Sequence, residues 1–187
     1  MRVGKALFLD RDGVINIDYG YVYKKQNFVF IPEIFRLVNV ACSLGYRVIV
    51  VTNQGGIGLG YYSVEDFLKL SDWMKTEFEK RNGRIDEIYF EPSHPRGLIG
   101  GGLGDTAFRK PNPGMFFQAK QDYELEMKNC LMVGDNLTDI EAAVRAGVPT
   151  RFLIKPEIST SEPTPTEYTI IKSLDKVTRY LENINDN

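Results

Sequence analysis

This chain of 187 residues has few cysteines, a small net charge and no long apolar run, and each of these features argues against a class of protein. The two cysteines, Cys42 and Cys130, stand far apart in apolar settings, which argues against a disulfide framework and for a reduced compartment. A formal net charge of −2 gives no reason to expect nucleic acid or an anionic membrane as partner. No apolar run reaches membrane-spanning length, and the N-terminal residues lack a secretory signal pattern. We therefore expect a cytoplasmic protein that binds neither nucleic acid nor a membrane.

Strand and helix patterns alternate along the chain, which predicts an α/β fold with a mostly parallel central sheet, a Rossmann-like three-layer sandwich. The apolar runs predict strands at residues 6–9, 47–52, 85–90, 130–133, 150–154 and 168–171. The 3.6-residue periods and capping signals predict helices at residues 33–44, 63–82, 114–124, 139–146 and 173–183. The length fits one domain over residues 1–187, with a Gly/Pro-rich loop at 91–108 and a terminal helix and tail at 173–187.

Two aspartates, Asp10 and Asp12, follow the first predicted strand and are separated by one residue. Open α/β sheets bind their ligands at the carboxyl ends of the strands, so this pair stands where chemistry is expected. If the extended geometry persists, both side chains point the same way and reach one reacting centre. Alone, such a pair is also typical of an Asx-stabilised turn.

Three further polar clusters follow strands or enter helices: residues 52–56 (Thr-Asn-Gln-Gly-Gly), 109–111 (Arg-Lys-Pro) and 134–139 (Gly-Asp-Asn-Leu-Thr-Asp). The first offers hydroxyl, amide and backbone N–H groups to a phosphoryl group, the second adds two cations, and the third adds two acids. Each has a plainer explanation, as a turn, a solvated loop and a helix N-cap. Because all of them belong to one predicted sheet edge, we interpret them together as one site. A crevice with this many carboxylates favours a bound Mg²⁺.

The order of these clusters resembles that of haloacid-dehalogenase-type phosphohydrolases, from Leu7 to about Phe152. More narrowly, the segments beginning at Asp10, Asp18, Thr52 and Arg109 are similar to those of the D-glycero-D-manno-heptose 1,7-bisphosphate phosphatases. Histidinol-phosphate phosphatases share much of this pattern. The resemblance implies a HAD-like phosphatase fold.

The resemblance also implies a role for each residue of the site. Asp10 would be the nucleophile that forms an aspartyl-phosphate, and Asp12 the general acid and then the base. Mg²⁺ would be held by Asp10, Asp135 and the backbone carbonyl of Asp12. Thr52 and Lys110 would bind the transferring phosphoryl oxygens.

The remaining implied roles concern the substrate. Asp139 would steady Asp135 or Lys110, and Arg109 would bind the second phosphate through bidentate hydrogen bonds. The other residues expected to contact the substrate are Asp18, Tyr19, Gly20, Tyr21, Asn53, Gln54, Gly55 and Asn136.

The loop at 91–108 departs from the relatives, which often carry a structural zinc on Cys-x-His and Cys-x-Cys pairs. The corresponding positions here are Glu91, Ser93, Thr106 and Phe108, and phenylalanine cannot ligate a metal. We therefore expect Mg²⁺ but no structural zinc, and a loop that is ordered by packing or substrate or else stays mobile. The lone histidine, His94, stands beside a lost ligand position and is typical of a surface or supporting residue.

The short spacing between clusters leaves no room for a cap domain, so we expect a capless, open site and a monomer. The favoured function is an Mg²⁺-dependent phosphatase that removes the C7 phosphate of a heptose 1,7-bisphosphate in the biosynthesis of nucleotide-activated heptose. Two alternatives stay open: a histidinol-phosphate phosphatase or other small phosphate monoesterase, and a non-catalytic phospho-ligand-binding module.

Overall fold

A six-stranded, entirely parallel sheet forms the centre of the computed structural model, which describes residues 4–97, 106–157 and 167–185. The strands are β1 (Ala6–Leu9), β2 (Arg47–Asn53), β3 (Glu87–Glu91), β4 (Leu131–Gly134), β5 (Thr150–Ile154) and β6 (Thr169–Ile171). Their spatial order is β3-β2-β1-β4-β5-β6, so the chain runs outward from β1 in one direction and then, after β3, resumes on the other side at β4. The α/β fold with a parallel sheet is confirmed.

Helices cover both faces of the sheet. They are α1 (Ile34–Ser43), α2 (Gly55–Gly58), α3 (Val64–Glu79), α4 (Gly114–Asp122), α5 (Leu137–Arg145) and α6 (Asp175–Asn185), with short 3₁₀ turns at Lys25–Asn27 and Met127–Asn129. In the described part of the chain, none of these helices has the length and apolarity needed to cross a membrane.

The alternation of side chains along β1 divides the core into two layers. Leu7 and Leu9 pack with residues of α1, α3 and α6, whereas Ala6 and Phe8 face α4 and α5 on the opposite side. All four side chains are fully buried, which is why the sequence of a central parallel strand reads as a continuous apolar run. Burial on both faces fixes the register of β1, and this places Asp10 at the carboxyl edge of the sheet.

Helix boundaries follow the capping residues. Ser63 caps α3 and forms a reciprocal capping box with Asp66, as its sequence predicts. Asn136 does the same for α5 with Asp139, so α5 begins at Leu137, two residues before the predicted start. The single-turn helix α2 is absent from the sequence-based prediction, because three of its four residues are glycine, a poor helix former.

Candidate active site

The carboxyl ends of β1, β2 and β4 open into one cleft of about 500 Å³. Every residue that the sequence analysis placed in the site lines this cleft, apart from Tyr19, which is largely exposed to solvent. Tyr62 and Thr138 complete the wall. The cleft is lined by Asp10, Asp12, Asp18, Gly20, Tyr21, Thr52, Asn53, Gln54, Gly55, Tyr62, Arg109, Lys110, Asp135, Asn136, Thr138 and Asp139. The four sequence clusters therefore meet at one place in the structure.

Lys110 lies at the floor of the cleft and contacts two carboxylates and a backbone carbonyl. Its Nζ lies 3.0 Å from Asp10 Oδ1 and 2.6 Å from Asp139 Oδ1, and it donates a hydrogen bond of 2.7 Å to the carbonyl of Val51. The side chain is 1% exposed, so these charges interact with little solvent screening. Burial lowers the pKa of Lys110, but attraction from Asp10 and Asp139 outweighs it, and the net shift is upward. The lysine is a permanent cation between two carboxylates.

The two oxygens of Asp10 differ in their surroundings. Oδ1 accepts hydrogen bonds from the Arg11 backbone N–H at 2.8 Å and from Lys110, whereas Oδ2 accepts none from the described residues. Burial raises the pKa of Asp10 to about 7; Lys110 lowers it, and the charges of Asp139 and Asp135 add to the rise. Asp10 therefore presents one free oxygen to the cleft, in a setting that penalises its negative charge.

Asp135 and Asp139 approach Asp10 from the β4–α5 turn. Carboxylate oxygens of these three residues lie within 4.8 Å of one another, the one such acidic group in the part of the chain that the structure describes. Burial raises the pKa of Asp135 to about 6, with a further contribution from Asp139. Gly13 makes room for Asp135: it has a φ of +81°, and a Cβ there would lie 2.3 Å from Asp135 Oδ2.

Asp139 supports its neighbours and has no free oxygen. Its Oδ1 pairs with Lys110, and its Oδ2 accepts hydrogen bonds from the backbone N–H groups of Asp135 (3.2 Å) and Asn136 (3.0 Å). Its side chain is 1% exposed. Asp139 thus touches both Lys110 and the Asp135 backbone, whereas Asp10 and Asp135 keep oxygens available for a cation. A pair of carboxylates with raised pKa values and free oxygens fits Mg²⁺, which prefers oxygen ligands.

Asp12 is held by three side chains. Arg11 donates to both of its oxygens at 2.7–3.1 Å, Asn16 donates to Oδ1 at 3.0 Å, and Gln54 donates to Oδ2 at 3.1 Å. Arg11 is itself fully buried, where it also donates to the carbonyl of Val22 and stacks near the Phe67 ring. The carboxylate is therefore fixed in orientation beside Asp10.

Gln54 connects Asp12 to Thr52. Its Nε2 donates to Asp12 Oδ2 and, at 2.9 Å, to Thr52 Oγ1, whereas its Oε1 accepts a 2.7 Å hydrogen bond from the Tyr62 hydroxyl. Burial raises the pKa of Tyr62 to about 12, so the phenol remains a donor. The predicted substrate contact Gln54 is thus part of a buried network that orients two other residues of the site.

Asn53 also acts on the protein backbone. Its side-chain amide exchanges two hydrogen bonds of 3.0 Å with the N–H and the C=O of Lys110. These bonds fix the segment that carries both Lys110 and Arg109 against the end of β2. Sequence reasoning missed the roles of Arg11 and Asn16, which lie one and four residues from Asp12, because no spacing signal marks a residue that orients its neighbour. It missed the paired hydrogen bonds of Asn53 because Lys110 lies 57 residues away.

The outer rim of the cleft carries Arg109 and aromatic residues. The Arg109 guanidinium donates to the carbonyl of Ser93 and lies beside Gly55, where a Cβ would come within 2.9 Å of the His94 ring. Burial lowers the pKa of Arg109, which Glu91 partly offsets. Tyr21 packs edge-on against Tyr61 at a centroid distance of 4.8 Å.

Comparisons with known proteins identify the family of this chain. A family model described as HAD-hydrolase-like matches residues 107–177. The D-glycero-alpha-D-manno-heptose-1,7-bisphosphate 7-phosphatase of Burkholderia mallei is 53% identical over 150 residues, which are 80% of this chain and 79% of that protein. The D-glycero-beta-D-manno-heptose-1,7-bisphosphate 7-phosphatase of Vibrio cholerae is 42% identical, over 80% of this chain and 81% of that protein.

The chain belongs to the heptose-1,7-bisphosphate 7-phosphatase family of HAD-like hydrolases.

Solved structures agree with the fold of this family. A HAD-like phosphatase from Mesorhizobium loti superposes with a TM-score of 0.87 at 29% identity, covering 98% of this chain and 87% of that one. The D,D-heptose 1,7-bisphosphate phosphatase of B. bronchiseptica, complexed with magnesium and phosphate, has a TM-score of 0.81 at 24% identity, over 97% and 99% of the two chains. The family resemblance that the four sequence clusters indicated is confirmed.

Proposed function

We propose that this protein is an Mg²⁺-dependent phosphatase that removes the C7 phosphate of D-glycero-D-manno-heptose 1,7-bisphosphate. The observation that carries the proposal is the pair of carboxylates, Asp10 and Asp12, fixed side by side at the carboxyl end of β1 with Lys110 beneath Asp10. Membership of the 7-phosphatase family supports the choice of substrate.

Asp10 is the proposed nucleophile because its Oδ2 is free of hydrogen bonds from the described residues. That oxygen attacks the phosphorus, the bond between phosphorus and the C7 oxygen breaks, and an aspartyl-phosphate forms. Lys110, which touches Asp10, would also balance the charge that builds on the phosphoryl oxygens in the transition state. Thr52 is proposed to donate its hydroxyl hydrogen to one of these oxygens, since its Oγ1 already accepts from Gln54.

Asp12 is the proposed proton shuttle. It gives a proton to the leaving C7 oxygen, and its carboxylate then takes a proton from the water that attacks the aspartyl-phosphate. This second attack releases inorganic phosphate and restores Asp10. The side-chain donors Arg11, Asn16 and Gln54 fix the orientation that both proton transfers need.

The proposed metal ligands are Asp135, the backbone carbonyl of Asp12 and Asp10 through Oδ1, the oxygen that does not attack the phosphorus. When bound there, Mg²⁺ neutralises part of the negative charge that the carboxylates and the phosphate bring together. Asp139 is proposed to position Asp135 and Lys110, because both of its oxygens are already occupied. No zinc is proposed for this chain.

Arg109, at the rim, is proposed to bind the C1 phosphate that is not hydrolysed. A second anion contact of this kind favours a bisphosphate over histidinol phosphate, which has a single phosphate group. We expect the α anomer to be the better substrate, since the relatives at 53% and 45% identity are named for it.

Phosphate release from both anomers of the heptose bisphosphate tests the proposal, with histidinol phosphate and fructose 1,6-bisphosphate as comparison substrates. We expect the heptose bisphosphate to be the best substrate and Asp10→Asn to abolish its turnover, with Asp72→Asn on the exposed side of α3 as the carboxylate control. Faster turnover of histidinol phosphate would support the alternative phosphatase. Failure to hydrolyse any of the four would support a phospho-ligand-binding module.

A further inference from the structure

The residues that stand where relatives often carry zinc ligands form a hydrogen-bonded cluster of their own. Glu91, the last residue of β3, is 8% exposed, and its carboxylate joins two segments that are 15 residues apart in sequence. Its Oε1 accepts from the Ser93 backbone N–H at 2.9 Å, and its Oε2 accepts from the Thr106 hydroxyl at 2.8 Å. We call Glu91, Ser93 and Thr106 the clasp.

Both halves of the clasp lead to Arg109. On one side, the carbonyl of Ser93 accepts a hydrogen bond from the Arg109 guanidinium. On the other side, Thr106 Oγ1 accepts from the backbone N–H groups of Phe108 (3.2 Å) and Arg109 (3.0 Å). The clasp therefore fixes the backbone and the side chain of the same arginine.

The clasp is anchored to the rigid part of the fold. Glu91 pairs with Asn53 in the sheet, and its carbonyl accepts a 2.8 Å hydrogen bond from Gln54. The next carbonyl, that of Pro92, accepts from Gly58 of α2 at 2.9 Å. An arginine held in this way loses less conformational freedom when it binds an anion than a freely rotating one does.

Charge reinforces the geometry. The carboxylate of Glu91 is close enough to raise the pKa of Arg109 against the lowering effect of burial, so the negative charge stabilises the guanidinium in a half-buried position. An uncharged residue in place of Glu91 could still hold the loop by hydrogen bonds but would not stabilise the charge of Arg109. His94, which lies beside Gly55 and Arg109, accepts a hydrogen bond from the Arg96 backbone N–H through Nδ1.

We propose that Glu91 and Thr106 are positioning residues, which orient Arg109 toward the second phosphate of the substrate through their hydrogen bonds and the charge of Glu91. This rests on the proposed function, since the second phosphate is that of the heptose bisphosphate. The clasp makes the enzyme selective for substrates with a remote phosphate, and it acts through Arg109 without touching the reacting atoms.

The test compares two conservative changes at one position on two substrates. Thr106→Val removes the hydroxyl that bridges Glu91 and Arg109 and keeps the shape, whereas Thr106→Ser keeps the hydroxyl. For the heptose 1,7-bisphosphate we expect Thr106→Val to raise KM about tenfold, the value of a weakened charge-assisted hydrogen bond, with kcat almost unchanged. For the heptose 7-phosphate, which lacks the remote phosphate, neither variant should change kcat/KM.

A double-variant comparison separates positioning from simple loss of stability. In an Arg109→Ala background, Thr106→Val should have no further effect on KM, because the arginine through which it acts is gone. Glu91→Gln should give an intermediate KM, because it keeps one acceptor and loses the charge. Equal losses on the bisphosphate and the monophosphate, or full additivity with Arg109→Ala, would overturn the proposal.

Amide hydrogen exchange gives a readout that needs no substrate. Exchange at the backbone N–H of Phe108, which donates to Thr106 Oγ1, should accelerate in Thr106→Val and stay slow in Thr106→Ser. Exchange at Arg109 should change less, because its N–H also donates to the Thr106 carbonyl at 3.2 Å. Unchanged exchange in Thr106→Val would overturn the clasp itself. If wild-type protein hydrolyses neither heptose phosphate while exchange changes as expected, the proposed function and the aim of Arg109 fail, and only the hydrogen-bonded clasp stands.

Discussion

Replacement of Lys110 by methionine is the perturbation whose effect on stability follows most directly from the geometry. The substitution keeps the length of the side chain and removes the cation that lies 3.0 Å from Asp10 and 2.6 Å from Asp139. At an effective dielectric constant of about 20, each contact represents roughly 5–6 kcal/mol of attraction before desolvation is subtracted. Because two buried carboxylates lose their counter-charge, we expect a net cost of about 3–5 kcal/mol in the free energy of unfolding without Mg²⁺.

The pH dependence of this cost distinguishes a charge effect from a packing effect. The folded-state pKa of Asp10 is about 7, above the 3.8 of an exposed aspartate, so the folded protein binds more protons than the unfolded chain between these values. The stability contributed by Asp10 is therefore full below about pH 4 and is lost as the pH rises through 7. Removal of Lys110 raises the pKa of Asp10 further, so ionisation of Asp10 destabilises the folded variant more than it destabilises the wild type. The loss of unfolding free energy in Lys110→Met should therefore be roughly half as large at pH 5, where Asp10 is protonated, as at pH 8.

Chemical denaturation in EDTA at pH 5 and pH 8 measures these values, with Lys120→Met on the exposed side of α4 as the matched control. A second substitution, Asp139→Asn in the Lys110→Met background, should recover part of the loss at pH 8 because one unpaired charge is removed. A cost below about 1 kcal/mol, or the same cost at both pH values, would refute the reasoning that Lys110 neutralises buried carboxylates.

Three further predictions concern the rest of the site. Mg²⁺ affinity, measured by calorimetry, should fall as the pH is lowered from 8 to 5, since protons compete for Asp10 and Asp135, whose pKa values are raised to about 7 and about 6; affinity that is flat over this range would contradict the ligand assignment. Gly13→Ala should weaken Mg²⁺ binding and destabilise the fold by at least about 1 kcal/mol, because a Cβ there would lie 2.3 Å from Asp135 Oδ2. Gly45 has a similar φ with open space around it, so Gly45→Ala should lower stability without changing Mg²⁺ affinity. Tyr62→Phe should lower kcat several-fold with little change in KM, because Gln54 loses the 2.7 Å hydrogen bond that orients it toward Asp12 and Thr52. Tyr61→Phe, at an exposed tyrosine, is the control. Equal effects of the two changes would show that the hydrogen bond from Tyr62 does not support catalysis.

The elements that the sequence predicted best are those whose burial is uniform. β1 begins and ends where its apolar run does, because a strand buried on both faces admits few polar residues. β5 also has the predicted bounds, although its first two residues, Thr150 and Arg151, are polar and only partly buried. β3 begins two residues later than predicted, at Glu87, and its first four residues are only partly buried. An edge strand of this kind has a weaker hydrophobic pattern, so its boundaries are harder to place.

The clusters of the site were predictable because each directly follows a strand or enters a helix. Their internal contacts were not, since they depend on loops that bring distant residues together. Asn53 was assigned to the substrate from its position in the Thr-Asn-Gln-Gly-Gly cluster, yet both ends of its amide bind the backbone of Lys110, 57 residues away. The loss of zinc ligands was visible in the sequence, but the Glu91–Thr106 hydrogen bond could be seen only once both ends of the loop were placed.

Rapid acid quenching during turnover of the heptose bisphosphate tests most directly whether Asp10 receives the phosphoryl group. Peptide mapping of the quenched protein by mass spectrometry should find a phosphoryl adduct on the peptide that contains Asp10, with none in Asp10→Asn and a longer-lived one in Asp12→Asn. Phosphate release without an adduct on Asp10 at any quench time, or turnover that survives Asp10→Asn, would show that Asp10 is not the nucleophile.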